Sequence, residues 1–438
     1  MTSLLITNAT VAQTDGSTIE ADVLCRGGKI ERIEKSITVS ADETLDAQGK
    51  LLLPGVIDPQ VHFREPGNEH KEGLATGSRA AARGGVTSFL EMPNTSPSTT
   101  TQAALDDKLK LGAEKSVVNY GFFIGATPDN LEVLNTASPV CGIKIFMGSS
   151  TGSLLVNDEK DLDRIFGNGD RLIAVHAEDE ARINQRMAQY SDRTDYAAHS
   201  FIRDNQCALM ASELALSLSK KYERRLHILH LSTHEEVELL RKNKPAWVTA
   251  EALPNHLLLN TADYEKMGSL VQMNPPIREV EDNEALWAGL KDGTLDFVAT
   301  DHAPHTLEEK QQPYPKSPSG MPGVETSLPL MLTEMNKGRC TLAEIQKWMS
   351  YGPAEAYRIA NKGKILEGWD ADLTLVDMNT SKPVRNEEVF SKVGWSPYVG
   401  RELVGWPTHT IVGGNIVFEN DSIRDGAKGQ ALQFQNFK

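Results

Sequence analysis

The sequence predicts an α/β chain: a TIM-type (β/α)8 barrel over residues 55–363, joined to a small β domain drawn from both ends, residues 1–54 plus 364–438. Three observations carry that prediction. Short apolar runs alternate with helix-period stretches through the middle of the chain, the pattern of parallel strands joined by helices. Eight such runs occur, the number that a barrel of this type uses. No Gly-x-Gly-x-x-Gly turn follows an early strand, which weighs against a doubly wound sheet.

Residues 1–54 hold β-type runs at 4–7, 22–26 and 29–33 around a Gly27-Gly28 turn, and no convincing helix. The strand candidates of the barrel are 56–63, 87–92, 119–125, 142–147, 172–177, 226–231, 246–250 and 296–300. Helical patterns lie between them at 74–83, 101–115, 159–166, 207–222, 235–242 and 283–292. Beyond 364, runs at 372–376, 410–412 and 416–418 flank Gly413-Gly414, a pair that marks a hairpin. Residues 306–320, with Pro313, Pro315 and Pro318, read as a mobile loop. The chain contains no internal repeat and no low-complexity tract.

With 438 residues the chain can bury a large core. Its 39% hydrophobic and 24% charged residues are those of a soluble globular protein. A net charge of −15 argues against a nucleic-acid partner, which calls for a basic face. It leaves room for a small anionic substrate, because one local arginine overrides the global field. The apolar runs are too short to cross a bilayer, and Met1-Thr2-Ser3-Leu4-Leu5 has no basic segment before an apolar one. No membrane partner, no signal peptide and a cytoplasmic location are therefore expected. Cys25, Cys141, Cys207 and Cys340 are widely spaced and form no Cys-x-x-Cys pair, so they read as buried thiols of a reducing compartment. Cys207 shares a helical stripe with Met210, Leu214 and Leu218.

The chemistry begins where the apolar run 51–57 ends in Asp58-Pro59-Gln60-Val61-His62-Phe63-Arg64-Glu65-Pro66-Gly67. Asp58, Gln60, His62 and Arg64 are potential ligands. Alternate strand residues point to one face, so Gln60, His62 and Arg64 project together. An imidazole beside a guanidinium points to a site that holds a metal and an anionic substrate at once. Active sites of such barrels form at the C-terminal strand ends. Asn94, Lys144, His176, His230 and Asp301 fall at or near the ends of later strands. A single one of these would be an ordinary buried histidine or a snorkelling lysine. Six on successive strands make a site.

The motifs around these residues resemble those of the cyclic amidohydrolases, and more narrowly the dihydroorotases. They are His62-x-Arg64-Glu65-Pro66-Gly67, Met92-Pro93-Asn94-Thr95, His176-Ala177-Glu178, His230-x-Ser232-Thr233, Met273-Asn274-Pro275-Pro276-Ile277-Arg278, Asp301-His302-Ala303-Pro304-His305 and Gly323-Val324-Glu325-Thr326. The resemblance covers nearly the whole chain. It implies that the terminal segments form a β-sandwich. It also implies a site for Zn2+, one or two per subunit, with His62 binding the first metal and His176 and His230 the second. Asp301 would bind the first metal and act as general acid/base for a metal-activated hydroxide. Arg64, Asn94 and His305 would hold a substrate carboxylate, with Asn274 beside the ring. The implied reaction is the reversible closure of N-carbamoyl-L-aspartate to L-dihydroorotate in pyrimidine synthesis, and the implied assembly a homodimer.

Two departures matter. Gln60 stands where the family has a histidine. Its amide oxygen is a weaker, neutral ligand, so three readings stay open: a weak Gln60–metal bond, a water in its place, or one tightly held metal only. Lys144 is costly within an apolar strand unless paired or modified. Reaction with carbon dioxide would make it a bidentate anionic ligand, as in related amidohydrolases. Other dihydroorotases place an aspartate slightly later, where this chain has Ser149-Ser150-Thr151 and no acid until Asp158. Asn255 also departs from a usual Pro-His-His and is assigned no chemistry. His302 reads as buried beneath the loop and bonded to it, and His227 as structural. His70, His199, His234 and His409 have no supporting context. Two rivals remain. A hydantoinase- or allantoinase-like enzyme is disfavoured by the Arg64 and Asn94 pair. A non-catalytic dihydroorotase-like subunit is supported by Gln60 alone.

Overall fold

The computed structural model describes residues 3–150 and 154–435. Five strands open the chain: β1 (Ser3–Ala12), β2 (Thr18–Arg26), β3 (Lys29–Glu34), β4 (Glu43–Asp46) and β5 (Leu51–Pro54). Nine follow with helices between most of them: β6 (Val56–Val61), β7 (Val86–Glu91), β8 (Asn119–Phe122), β9 (Ile124–Gly125), β10 (Ile143–Phe146), β11 (Ile173–His176), β12 (Leu226–Ile228), β13 (Val248–Ala252) and β14 (Phe297–Val298). The last four are β15 (Leu373–Pro383), β16 (Glu402–Val412), β17 (Asn415–Glu419) and β18 (Ser422–Ile423).

The two ends of the chain share one nine-stranded sheet, ordered β18-β17-β16-β15-β5-β1-β2-β3 with β4 also on β1. The ends meet where β15 runs antiparallel to β5, Leu373 opposite Pro54 and Leu375 opposite Leu52. Period-2 patterning explains the pairing. Leu4, Ile6, Val11, Val23, Leu52, Leu373, Leu375 and Ile411 all fall into one buried cluster.

The middle strands are parallel and form two sheets, β6-β7-β8 and β9-β10-β11-β12-β13-β14. Only Phe123 separates β8 from β9. At the far edge Val61 bridges His302, and the His62 amide donates to the His302 carbonyl at 2.8 Å. Most of these strands are buried along their length, so their sequence reads as continuous apolar runs. Side-chain caps start the helices. Thr101, Asp158, Asp179, Asp204 and Thr233 each accept a first-turn amide, which fixes where each helix begins.

Several elements end earlier than their apolar runs. The run 226–231 pairs only over Leu226–Ile228, and 296–300 only over Phe297–Val298. The backbone then turns left-handed, at His230 (φ 40°) and Asp301 (φ 48°), which takes the chain out of the ladder. Residues 306–320 are anchored rather than loose. Thr306 and Glu309 cap a short helix, Leu307–Lys310. The buried Lys310 ammonium then donates to the carbonyls of Gln272, Pro318 and Gly320 at 2.9–3.0 Å. All four cysteines are buried and unpaired. Met210 is exposed, because the helix Asn205–Tyr222 turns Cys207, Ala208, Ala211 and Ala215 inward instead. No described helix is long and apolar enough to cross a membrane.

Candidate active site

Gln60, His62, Arg64, Asn94, Lys144, His176, His230, Asn274 and Asp301 line one narrow cleft. They come from seven separate stretches of chain, and the parallel strands bring them together at their C-terminal ends. Asp58 does not join them. Its carboxylate accepts from the Thr300 amide at 3.1 Å and the Thr300 hydroxyl at 2.5 Å, and so ties β6 to the end of β14. Three residues of the site, Arg64, His230 and Asp301, hold positive φ values of 64°, 40° and 48°. Non-glycine residues adopt this region at a cost, and such strain gathers at functional sites.

At one side, Asp301 Oδ1 is 3.1 Å from His62 Nε2 and accepts from Gln60 Nε2 at 3.1 Å. His62 Nδ1 lies 2.8 Å from Asn94 Oδ1, and its Nε2 faces the carboxylate. The Gln60 amide must turn its nitrogen to the carboxylate. Its oxygen is then buried with no hydrogen-bond partner among the described residues. That oxygen is an available ligand.

At the other side, His176 Nδ1 and His230 Nε2 are 3.0 Å apart. His176 Nε2 lies 3.0 Å from Glu178 and donates to it, so the neutral ring keeps a bare lone pair on Nδ1. Glu178 also accepts from Arg203 at 2.5 Å. Burial pushes the Glu178 carboxyl up, but Arg203 and His176 outweigh it and hold it down at about 2. Burial pushes the imidazoles of His62, His176 and His230 below their ordinary range, which favours their neutral forms. His230 Nδ1 is buried without a partner. Lys144 is 1% exposed, and no described carboxylate lies within ion-pair distance of its nitrogen. Its Nζ lies 4.5 Å from the centroid of the Phe146 ring. Burial lowers its ammonium to about 7.

The third side is made for an anion. Arg64 is buried, 4% exposed. Its Nε donates to the Pro304 carbonyl at 3.3 Å, and its Nη2 lies 3.3 Å from His305 Nε2. No described carboxylate forms an ion pair with it. His305 Nε2 also lies 3.1 Å from the Ser319 carbonyl, and its Nδ1 3.0 Å from Lys71 Nζ. His305 is therefore neutral with its hydrogen on Nε2, next to the free edge of Arg64. Gly320 closes this wall at φ 132°, where a Cβ would meet the Ala303 carbonyl at 2.4 Å.

Residues 51–417 match the Amidohydrolase family. The chain belongs to that family. This amidohydrolase is 40% identical over 421 residues to a dihydroorotase of Methanosarcina acetivorans, covering 92% of this chain and 89% of that one. It is 33% identical to a dihydroorotase of Bacillus cytotoxicus, covering 95% and 99%. Among solved structures it resembles the L-hydantoinase (dihydropyrimidinase) of Arthrobacter aurescens, at 31% identity, TM-score 0.94, and 99% and 100% coverage. A dihydropyrimidinase of Brevibacillus agri matches at 28% identity and TM-score 0.89, covering 97% of each chain.

Some of the amidohydrolase's site escaped the sequence. Arg203 and Tyr398 carry no motif of their own. Tyr398 donates to Asn255 at 2.6 Å, which gives that unassigned asparagine a structural partner. Trp395 donates to the His305 carbonyl at 2.8 Å from a segment between β15 and β16. His199, which has no motif around it in the sequence, is buried beside Asn274. His302 is buried, but its ring bonds outside the 306–320 loop: its Nδ1 accepts from the Gly323 and Val324 amides, and Nε2 lies 3.4 Å from Glu72. His227 pairs with buried Glu251 at 3.0 Å. Another acid and histidine group, His234, Glu235 and Asp282, clusters away from the cleft at a helix start. Thr151 lies outside the described residues.

Proposed function

We propose that this amidohydrolase is a dihydroorotase, closing N-carbamoyl-L-aspartate reversibly to L-dihydroorotate and water. The observation that carries the reading is Arg64. A buried guanidinium without an acid partner is costly unless an anion completes it. The substrate carboxylate is that anion, held by Arg64 with His305 and Asn94 beside it, while Asn274 faces the ring. The curated relatives named dihydroorotase support this. The hydantoinase-like structures favour the rival reading, an uncharged cyclic amide, and they share the fold at TM-scores up to 0.94. The assay that separates the two compares turnover of dihydroorotate with that of dihydrouracil, which lacks the carboxylate.

The donors fit a metal. Bare imidazole nitrogens, a carboxylate, an unpartnered amide oxygen and a buried lysine converge without enough protons to satisfy one another. His62, Asp301 and Gln60 would hold one ion, and His176, His230 and Lys144 a second, shared or alone. We assign zinc to this set. Lys144 serves as a carbamate: its neutral amine adds to carbon dioxide, a new N–C bond forms and one proton leaves to solvent. A bound metal lowers the pKa of the attacking water and polarises the amide carbonyl. Asp301 takes that water's proton and returns it to the ring nitrogen as the C–N bond breaks. Gln60 holds the carboxylate in line for this transfer.

On the same reading, residues 55–363 close into a (β/α)8 barrel. The Val61–His302 bridge and the short β8–β9 step support that closure. Residues 1–54 plus 364–438 make the β-sandwich domain. The protein is placed in the cytoplasm as a homodimer, which sedimentation will test.

Two substitutions probe the metal set. Gln60→His should tighten the weaker ion, because imidazole is the better zinc donor. Metal content against chelator concentration will show it. Superimposable curves for the two proteins would mean that Gln60 is no ligand. Arg203→Met should loosen the Glu178–His176 pair and weaken metal binding by about 10- to 100-fold, the range for lost support behind a ligand. An unchanged metal affinity would confine Arg203 to packing.

A further inference from the structure

His199 is 7% exposed and does not line the cleft, yet its Nε2 reaches three groups behind the cleft wall. It lies 3.0 Å from the Met273 carbonyl, 2.8 Å from Asn274 Oδ1 and 3.3 Å from Ser319 Oγ. The Met273 carbonyl can only accept, so Nε2 carries the hydrogen. The Asn274 atom facing it must then be an acceptor as well. The chemistry of the neighbours, rather than a choice between amide oxygen and nitrogen, fixes which way Asn274 turns. Its two Nδ2 hydrogens are left on the side away from His199, on a residue that lines the cleft. No described residue accepts from them.

Ser319 is held in the same sense. Its oxygen accepts from Gln272 Nε2 at 3.2 Å and faces His199 Nε2 at 3.3 Å. Its own hydroxyl hydrogen is therefore left to donate, and Ser319 also lines the cleft. One wall of the site thus presents donors only. Burial and Arg203 hold the His199 imidazole down at about 4, which keeps it neutral and keeps its single hydrogen where the Met273 carbonyl requires it.

We propose that His199 is a positioning residue that fixes Asn274 and Ser319 as hydrogen-bond donors, so that this wall selects a ring carbonyl oxygen of the substrate. The proposal rests on the cyclic-amide reading of the site. The carbonyl under attack must lie by Asp301. The oxygen read by this wall is then the other ring carbonyl, the one between the two ring nitrogens. A ring with an N–H at that place would meet two donors and be rejected.

The test uses dihydroorotate and its analogue with sulfur in place of that oxygen, since sulfur is the poorer acceptor. The wild type should prefer oxygen. His199→Phe should lose most of that preference and raise KM by about ten-fold, the size of one neutral hydrogen bond, with little change in kcat. His199→Gln, whose amide nitrogen can donate, should restore both. A folded His199→Phe that keeps the wild-type KM and oxygen-to-sulfur ratio overturns the proposal. If His199→Phe does not fold, Asn274→Asp tests the same point. It keeps an acceptor for His199 and removes the donors, so an unchanged ratio again overturns it. If the wild type acts on dihydrouracil and not on dihydroorotate, the carboxylate reading has failed. The same ratio, measured on dihydrouracil and its sulfur analogue, then decides His199 separately.

Discussion

Replacing Arg64 with methionine is expected to cut kcat/KM for dihydroorotate by about 30- to 5,000-fold, the loss of a buried charge-assisted pair of about 2–5 kcal/mol. Metal content should not change, because Arg64 Nη2 and Nε contact His305 and the Pro304 carbonyl and no proposed ligand. Stability gives the second readout. Without substrate, Arg64 is a buried charge with no acid partner. Its removal should leave the melting temperature unchanged or raise it, since an uncompensated buried ion is a cost to the fold. A merely structural arginine would behave in the opposite way. Turnover of dihydrouracil should change by a few-fold at most. If the wild type already prefers dihydrouracil, the guanidinium is not the specificity element and the hydantoinase reading stands.

Lys144→Ala should abolish activity and strip metal. The effect should exceed the roughly 10- to 100-fold cost of losing support behind a ligand, because a ligand itself goes. The reason is electrostatic. Lys144 is 1% exposed in an apolar strand, with no carboxylate in ion-pair reach. As an ammonium it would repel the cations it faces, whereas as a carbamate it would attract them. Short carboxylates such as acetate should enter the space left by the side chain and recover part of the activity. Bicarbonate should speed recovery of the metal-free wild type and do nothing for the variant. Electron density for an unmodified amine beside a filled metal site would end this reading.

Much of the site was legible because strand chemistry is local. Gln60 lies on β6 and His62 and Arg64 just beyond its end, so a period of two was enough to bring them to one cleft although the strand stops at Val61. His176, His230 and Asp301 were marked by apolar runs that stop at a polar residue. Helix limits such as Leu74–Arg83 and Glu159–Phe166 followed from the helical period. The strand ends were harder. The runs at 226–231 and 296–300 read as strand to their ends, yet pairing stops two or three residues sooner. Left-handed backbone at His230 and Asp301 stops it, and nothing in the residue types announces that conformation.

The sequence by itself determined the parallel α/β alternation, the pairing of β segments from both ends and the strand-end residues around the cleft. Each depends on spacing along the chain, which hydrophobic burial reads directly. Tertiary structure alone decided how the side chains divide their hydrogen bonds. Gln60 turns its nitrogen to Asp301 only because β6 and the end of β14 are neighbours. Glu178 is held ionised by Arg203, 25 positions later, together with His176. His199 faces Asn274 across 75 positions, and its one hydrogen settles which end of that amide meets the cleft. A side chain's polarity is written in its residue type. Which way it is presented depends on the donors and acceptors that surround it, and these come from parts of the chain that meet only once it has folded.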